Sequence, residues 1–193
     1  MKQFTLFIIT LFALMSCNNG VQQRIVSDTP IKTEVFGLKL GESSSQKAIE
    51  NALSKEVGKS VYGDSQKDGA GTTVRVFPLS LEINYGGLSW HYLDVSINEN
   101  KQIVQITLVG SYESIDRAKE QFAAAKEVFT QKYGKGNSNE EYQNIFWTDD
   151  TNSVGITYKE SSAINGNDRS FCSLYYVNID LATALEEANT PDI

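Results

Sequence analysis

The sequence predicts an α+β fold: one antiparallel sheet with two helices packed on one face, arranged as two tandem α-β-β-β units. Three observations carry this. Apolar residues recur at helical spacing in two segments, each opened by a serine and closed by a glycine. The segments after each helix alternate apolar and polar residues, or run apolar, between Gly, Asn and Asp turns. This helix-then-strands order occurs twice, over 34–110 and over 111–180, as a repeat of architecture and not of residues.

In the first unit, residues 35–40 form a short apolar strand ended by Gly41. Ser43 and Gln46 have capping-box spacing, in which hydroxyl and amide satisfy free helix N–H groups reciprocally. Ile49, Ala52, Leu53 and Val57 then make one apolar stripe, and Gly58 is a natural stop. Residues 63–71 read as a polar loop. Val74 and Val76 lead to Pro78, after which Leu79, Leu81, Ile83 and Tyr85 alternate with Ser80, Glu82 and Asn84. That is the pattern of a half-buried antiparallel strand. Gly86-Gly87 turns into 88–97 and Asn98-Glu99-Asn100-Lys101 into 103–109, so 88–109 reads as a hairpin.

The second unit opens at Ser114, with a stripe of Ile115, Ala118, Phe122, Ala125, Phe129 and Tyr133 closed by Gly134. Glu113 and Arg117 stand at the favourable i,i+4 spacing. Strands follow at 142–148, 154–159 and 171–180; Asp149-Asp150-Thr151-Asn152 is a turn and 160–170 a polar loop. Residues 181–188 suit a last helical turn or two. Gly41-Glu42-Ser43 at the entry to the first helix resembles the Gly-x-Ser/Thr turn of the small lipoprotein of the outer-membrane β-barrel assembly machinery. The tandem order also resembles the β-lactamase-inhibitor-protein-like fold. The resemblance covers 40–110 and again 111–180. It implies an exported α/β domain; fold analogy does not carry function with it.

The first 33 residues stand apart. Lys2 is followed by an apolar run over 4–15, too short to cross a hydrocarbon core about 30 Å thick, so 1–16 read as a secretory signal. Its end, Leu14-Met15-Ser16-Cys17, resembles the lipobox of bacterial lipoproteins. The resemblance implies cleavage before Cys17, acylation of that cysteine, and a membrane anchor of several acyl chains. Residues 17–33 read as a polar tether to a single domain over 34–193. The tether has no acidic cluster after Cys17, which by the same resemblance implies the periplasmic face of the outer membrane. Residues 17–193 hold 16 basic and 24 acidic residues, which argues against nucleic acid as a partner.

Acylation of Cys17 leaves Cys172 without a disulfide partner. Its place in phase with Leu174 and Tyr176 reads as a small buried hydrophobe on a strand. One histidine, His91, and one free cysteine supply too few ligands for zinc, so neither metal nor cofactor is expected. Asp149-Asp150 and Glu140-Glu141 sit at turns; Asp64, Asp68 and Asn165-Gly166-Asn167-Asp168 do not follow a calcium loop. Gly69-Ala70-Gly71 is too short to cradle phosphate. The aromatics are the remaining lead. Trp90 and Tyr92 alternate with His91 and Leu93, and with Tyr85, Trp147 and Tyr175 they are the candidate open face of the sheet. The functional expectation is a lipid-anchored, non-enzymatic module that docks on an envelope protein. A glycan- or lipid-binding face is the alternative; a hydrolase using His91 or an acid pair is the third reading.

Overall fold

Four strands from each half, laid side by side in mirrored order, build one eight-stranded antiparallel sheet. The computed structural model describes residues 25–79, 82–139, 143–164 and 167–190, with the backbone alone at 161–164 and 167–168. Residues 1–24, including Cys17, lie outside the described residues, as do Glu140, Glu141 and Asn165. The first half runs β1 (Glu34–Val35), β2 (Leu38–Lys39), α1 (Gln46–Val57), β3 (Val61–Asp68), β4 (Gly71–Pro78), β5 (Ile83–Tyr85), β6 (Leu88–Trp90), β7 (Tyr92–Asn98) and β8 (Ile103–Tyr112). The second runs α2 (Ile115–Tyr133), β9 (Asn137–Asn139), β10 (Asn144–Thr148), β11 (Asn152–Ile164), β12 (Asn167–Asn178) and α3 (Ile179–Asn189). The strand order is β3-β4-β7-β8-β12-β11-β10-β9, with β1-β2 and β5-β6 as separate two-stranded pairs.

Each half thus gives four strands to the sheet instead of the three expected of a unit. The extra strand in the first is β3, which covers most of the segment that reads as a polar loop. Its pairing runs from Val61 opposite Pro78 to Asp68 opposite Gly71. It is polar because it lies at the edge of the sheet, where most of its side chains meet water. The expected loop at 160–170 is likewise strand over 160–164 and 167–170: β11 and β12 pair through Ser161 opposite Arg169 and meet again at Ile164 opposite Asn167.

The core lies between the helices and one face of this sheet. Alternate positions bring Val74, Leu93, Val95, Ile106, Leu108, Leu174, Tyr176, Val154 and Ile156 to that face, all buried. Ile49 and Leu53 of α1 and Ala118, Ala125, Phe129 and Tyr133 of α2 close over them in the same cluster. The cap of α1 is Ser45, whose hydroxyl accepts from Ala48 N–H, and not Ser43, which bridges to Gln102. The Gln46 amide turns instead to Glu50 Oε1 and Gly63 O. Gly58, at φ 63°, ends α1, and Ser114 caps α2 at Arg117 N–H as the sequence predicts. Arg117 bonds Glu120 at 2.9 Å, not Glu113.

The last helical turn or two expected over 181–188 is a full third helix. Helix α3 lies on the other face, where Leu181, Ala182 and Leu185 pack with Val104, Tyr175 and Val177. It reaches the β3–β4 turn, where Asn189 Oδ1 accepts from Ala70 N–H at 2.7 Å. Beneath it Tyr175 lies over Gly155, where a Cβ would collide with the phenol. The Tyr175 hydroxyl is buried and has no hydrogen-bond partner among the described residues.

The expected tether also docks from Ile25 onward. Ile25 N–H donates to Asn137 Oδ1 and the Asn137 amide donates back to Ile25 O, both at 2.8 Å. Ser27 N–H donates to Thr148 O and Ile31 N–H to Asp149 Oδ2, each at 2.8 Å, and the Ile31 side chain is buried. Burial pushes the Asp149 carboxyl up, but hydrogen bonds from Ile31, Thr151 and Asn152 N–H and the Thr151 hydroxyl outweigh it and hold it below its ordinary value. For a depressed carboxyl, the stabilisation is complete above the ordinary value of about 3.9 and fades as pH falls through the folded one.

Three outcomes follow. Leu53→Ala lowers the unfolding free energy by about 2–5 kcal/mol in denaturant titration. Tyr175→Phe leaves it unchanged or raises it by about 1 kcal/mol, because it removes an unpaired buried hydroxyl. Hydrogen-exchange protection of the Ile31 amide holds at neutral pH and is lost as pH falls through the lowered folded pKa of Asp149, a dependence that Asp149→Asn abolishes.

Candidate functional site: an aromatic corner on the second face

The five aromatics predicted to share an open face do not form one. Trp90, Trp147 and Tyr175 are buried, Tyr92 nearly so, and Tyr85 is half-buried against Phe36 and Tyr176. The reason is local. The strand expected over 88–97 breaks at His91 into β6 and β7, so Trp90 and Tyr92 do not keep the common face of an unbroken strand. Trp90 pairs with Ile83 in the β5–β6 hairpin and enters the helix-covered core, its indole N–H donating to Tyr85 O at 3.2 Å. Trp147 fills the same core and donates to Gly134 O at 2.8 Å. Tyr175 lies on the opposite face beneath α3. The glycan- or lipid-stacking face built on these rings is thereby withdrawn.

His91 Nδ1 accepts from Ser111 N–H at 2.9 Å, which leaves the proton on Nε2, and desolvation lowers the ring's pKa. Its neighbouring ring is Tyr112, edge-on at 5.4 Å between centroids. Cys172 is buried on the helix side of β12, opposite Gly110, and burial pushes its thiol well up. It takes the place of a small core hydrophobe, as the sequence predicts. Asp149 is engaged by the N-terminal segment and its own turn, while Asp150 is exposed. Among the described residues no three His, Cys, Asp or Glu side chains converge to hold a metal.

What the sheet does expose is a corner that sequence reasoning missed. Tyr62 of β3 faces Phe77 of β4, and Phe77 lies 5.3 Å from Tyr92 of β7 between ring centroids. Tyr62 is 61% exposed and Leu79, two residues beyond Phe77, is 70% exposed. They are two of the five large hydrophobic residues exposed among the described residues. Leu79 N–H donates to Ser60 O, which extends the β3–β4 ladder past Pro78 and keeps Leu79 beside Tyr62. The signal was in Arg75-Val76-Phe77-Pro78-Leu79, whose alternation implies a second row on the far face. Placing residues 63–71 in a loop hid the strand that completes it.

A charged pair braces this corner. Arg75 Nε and Nη2 donate to Asp94 Oδ1 and Oδ2 at 2.7 and 2.6 Å, a two-pronged match of guanidinium to carboxylate. The same guanidinium stands 4.6 Å from the centroid of the Tyr92 ring. Burial works against the charge on Arg75; the hydrogen bonds and charge of Asp94 outweigh it and hold the guanidinium above its ordinary value. Asp64, on the neighbouring edge strand, adds in the same direction. The result is a row of rings rimmed by a fixed cation and carboxylates. Arrays of Tyr and Arg of this kind serve as anchors in protein interfaces.

Removing the brace costs stability locally. Asp94→Ala lowers the unfolding free energy by about 1–3 kcal/mol because it strands a half-buried guanidinium. Asp64→Ala, at an exposed position, changes it by no more than about 0.5 kcal/mol, and paired denaturation curves separate the two. Comparison with protein-family models, with curated proteins and with solved structures finds no match to this chain.

Proposed function

We propose that this protein is a lipid-anchored component of a bacterial cell envelope, held through Cys17 on the periplasmic side of the outer membrane. It acts there as a non-enzymatic accessory module that docks on an envelope protein. The observation that carries the docking reading is the exposed Tyr62–Leu79 corner, continuous with Phe77 and Tyr92 and braced by Arg75–Asp94. Rings held rigid by packing lose little freedom on binding, and a charge pair at their rim gives register.

The edge strand beside them suits the same role. In β3, Gly63 O accepts from the Gln46 side chain, and Lys67 is the kind of edge charge that discourages indiscriminate strand pairing. Selective docking through side chains fits that design better than open-ended strand addition. The anchor reading rests on the lipobox-like Leu14-Met15-Ser16-Cys17 and the short apolar run before it.

The test is photo-crosslinking in intact envelopes, with the photoreactive residue placed at position 62 or 79 of the lipidated chain. One adduct of defined mass is expected from both positions. It should fall at least tenfold when Phe77→Asp disrupts the corner, and disappear with Cys17→Ala. Equal labelling of many proteins, or none, contradicts docking at this corner.

A further inference from the structure

The geometry points to a fixed orientation on the membrane: the β9 edge of the sheet, with Ile25 and Val26, faces the lipid surface, and the β3 edge is held away from it. This rests on acylation of Cys17, as proposed above. The surface in question is the start of the docked N-terminal segment, and its occupant is the bilayer that holds the anchor.

Ile25 is clamped to β9 at both backbone groups by the Asn137 amide. The following residues are tied to Thr148, Tyr133 and Asp149 within the same half. The chain between anchor and fold therefore ends at Ile25 and not at residue 33. Eight residue steps separate Cys17 from Ile25. Fully extended they reach about 29 Å, and as a coil they average about 14–17 Å.

The sheet is wider than that reach. From β9 to β3 there are seven inter-strand gaps, and at about 4.8 Å each they span about 34 Å. If the β3 edge lay on the bilayer, Ile25 would stand about 34 Å above it, farther than the stretched chain extends. Chain length therefore opposes the inverted orientation. The upright one places Ile25 and Val26, 39% and 53% exposed, nearest the lipid. They are two more of the five large hydrophobics exposed among the described residues, and burial at the interface accounts for both. Lys132 and Lys135, exposed at the end of α2 beside Tyr133, add positive charge on the same half.

The experiment uses the acylated full chain bound to phosphatidylethanolamine/phosphatidylglycerol vesicles that contain an energy-acceptor lipid. Val26→Cys and Gln66→Cys variants each carry one donor dye, since Cys17 is acylated and Cys172 is buried. Transfer to the membrane should be several-fold greater from position 26 than from position 66. An insertion of about 20 Gly/Ser residues after Asn19 should erase most of that difference. Asn137→Ala, which opens the clamp at Ile25, should reduce it in part. If an acylated, vesicle-bound chain shows equal transfer from both positions, or more from position 66, the orientation is refuted and the anchor stands. If Cys17 carries no acyl mass and the chain does not bind vesicles, the anchored reading fails and the orientation falls with it.

Discussion

The ladder between β8 and β12 is the interaction on which the rest depends. It joins the two halves edge to edge, from Ser170 opposite Tyr112 to Val177 opposite Gln105. Leu108 meets Leu174 and Ile106 meets Tyr176 across it, all buried on the helix side. Without that seam each half is four strands with one helix on the core face, too little to bury the core that the two share. Because the strands alternate, the seam also fixes which residues of both halves face the helices and which face away.

The second face is where the halves differ. From the end of β12 the chain turns directly into α3, which spreads across this face towards the β3–β4 turn. It covers Val104, Val177 and Tyr175. Towards the other end of β3, β4 and β7 lie Tyr62, Phe77, Tyr92 and the Arg75–Asp94 brace, which α3 does not cover. The N-terminal segment adds an asymmetry of its own, since it binds Asn137, Thr148 and Asp149 of the second half. The fold thus presents the docked N-terminal segment on one half and an aromatic corner on the other.

Much of this was legible in the sequence where one face is buried and the period is clean. Helix α2 follows its stripe from Ile115 to Tyr133, and β7 and β8 follow Leu93, Val95, Ile106 and Leu108. The signal failed where burial does not dictate residue type. Strand β3 is polar because it is an edge, and the strand ends at 160–164 and 167–170 are polar although they pair. Three successive serines, Ser43 to Ser45, left the cap of α1 open to a two-residue error. The candidate site suffered from a single break: alternation carried through His91 places Trp90 and Tyr92 together, and the backbone separates them there. Docking of residues 25–33 leaves no periodicity to read, since hydrogen bonds with the Asn137 amide and to the Asp149 carboxylate hold it. Nor does a short amphipathic stretch such as 179–189 state which face of a sheet it will cover.

The central claim is that the two faces are unequal, with the large aromatics inside and the Tyr62–Leu79 corner outside. Hydroxyl-radical footprinting of the native protein, read residue by residue by mass spectrometry, tests it most directly. Tyr62 and Leu79 should be oxidised about tenfold faster than Trp90, Trp147 and Tyr175, in line with 61% and 70% exposure against near-complete burial. Oxidation of Trp90 and Trp147 as fast as Tyr62 would contradict the account and restore the open aromatic face that the sequence suggests.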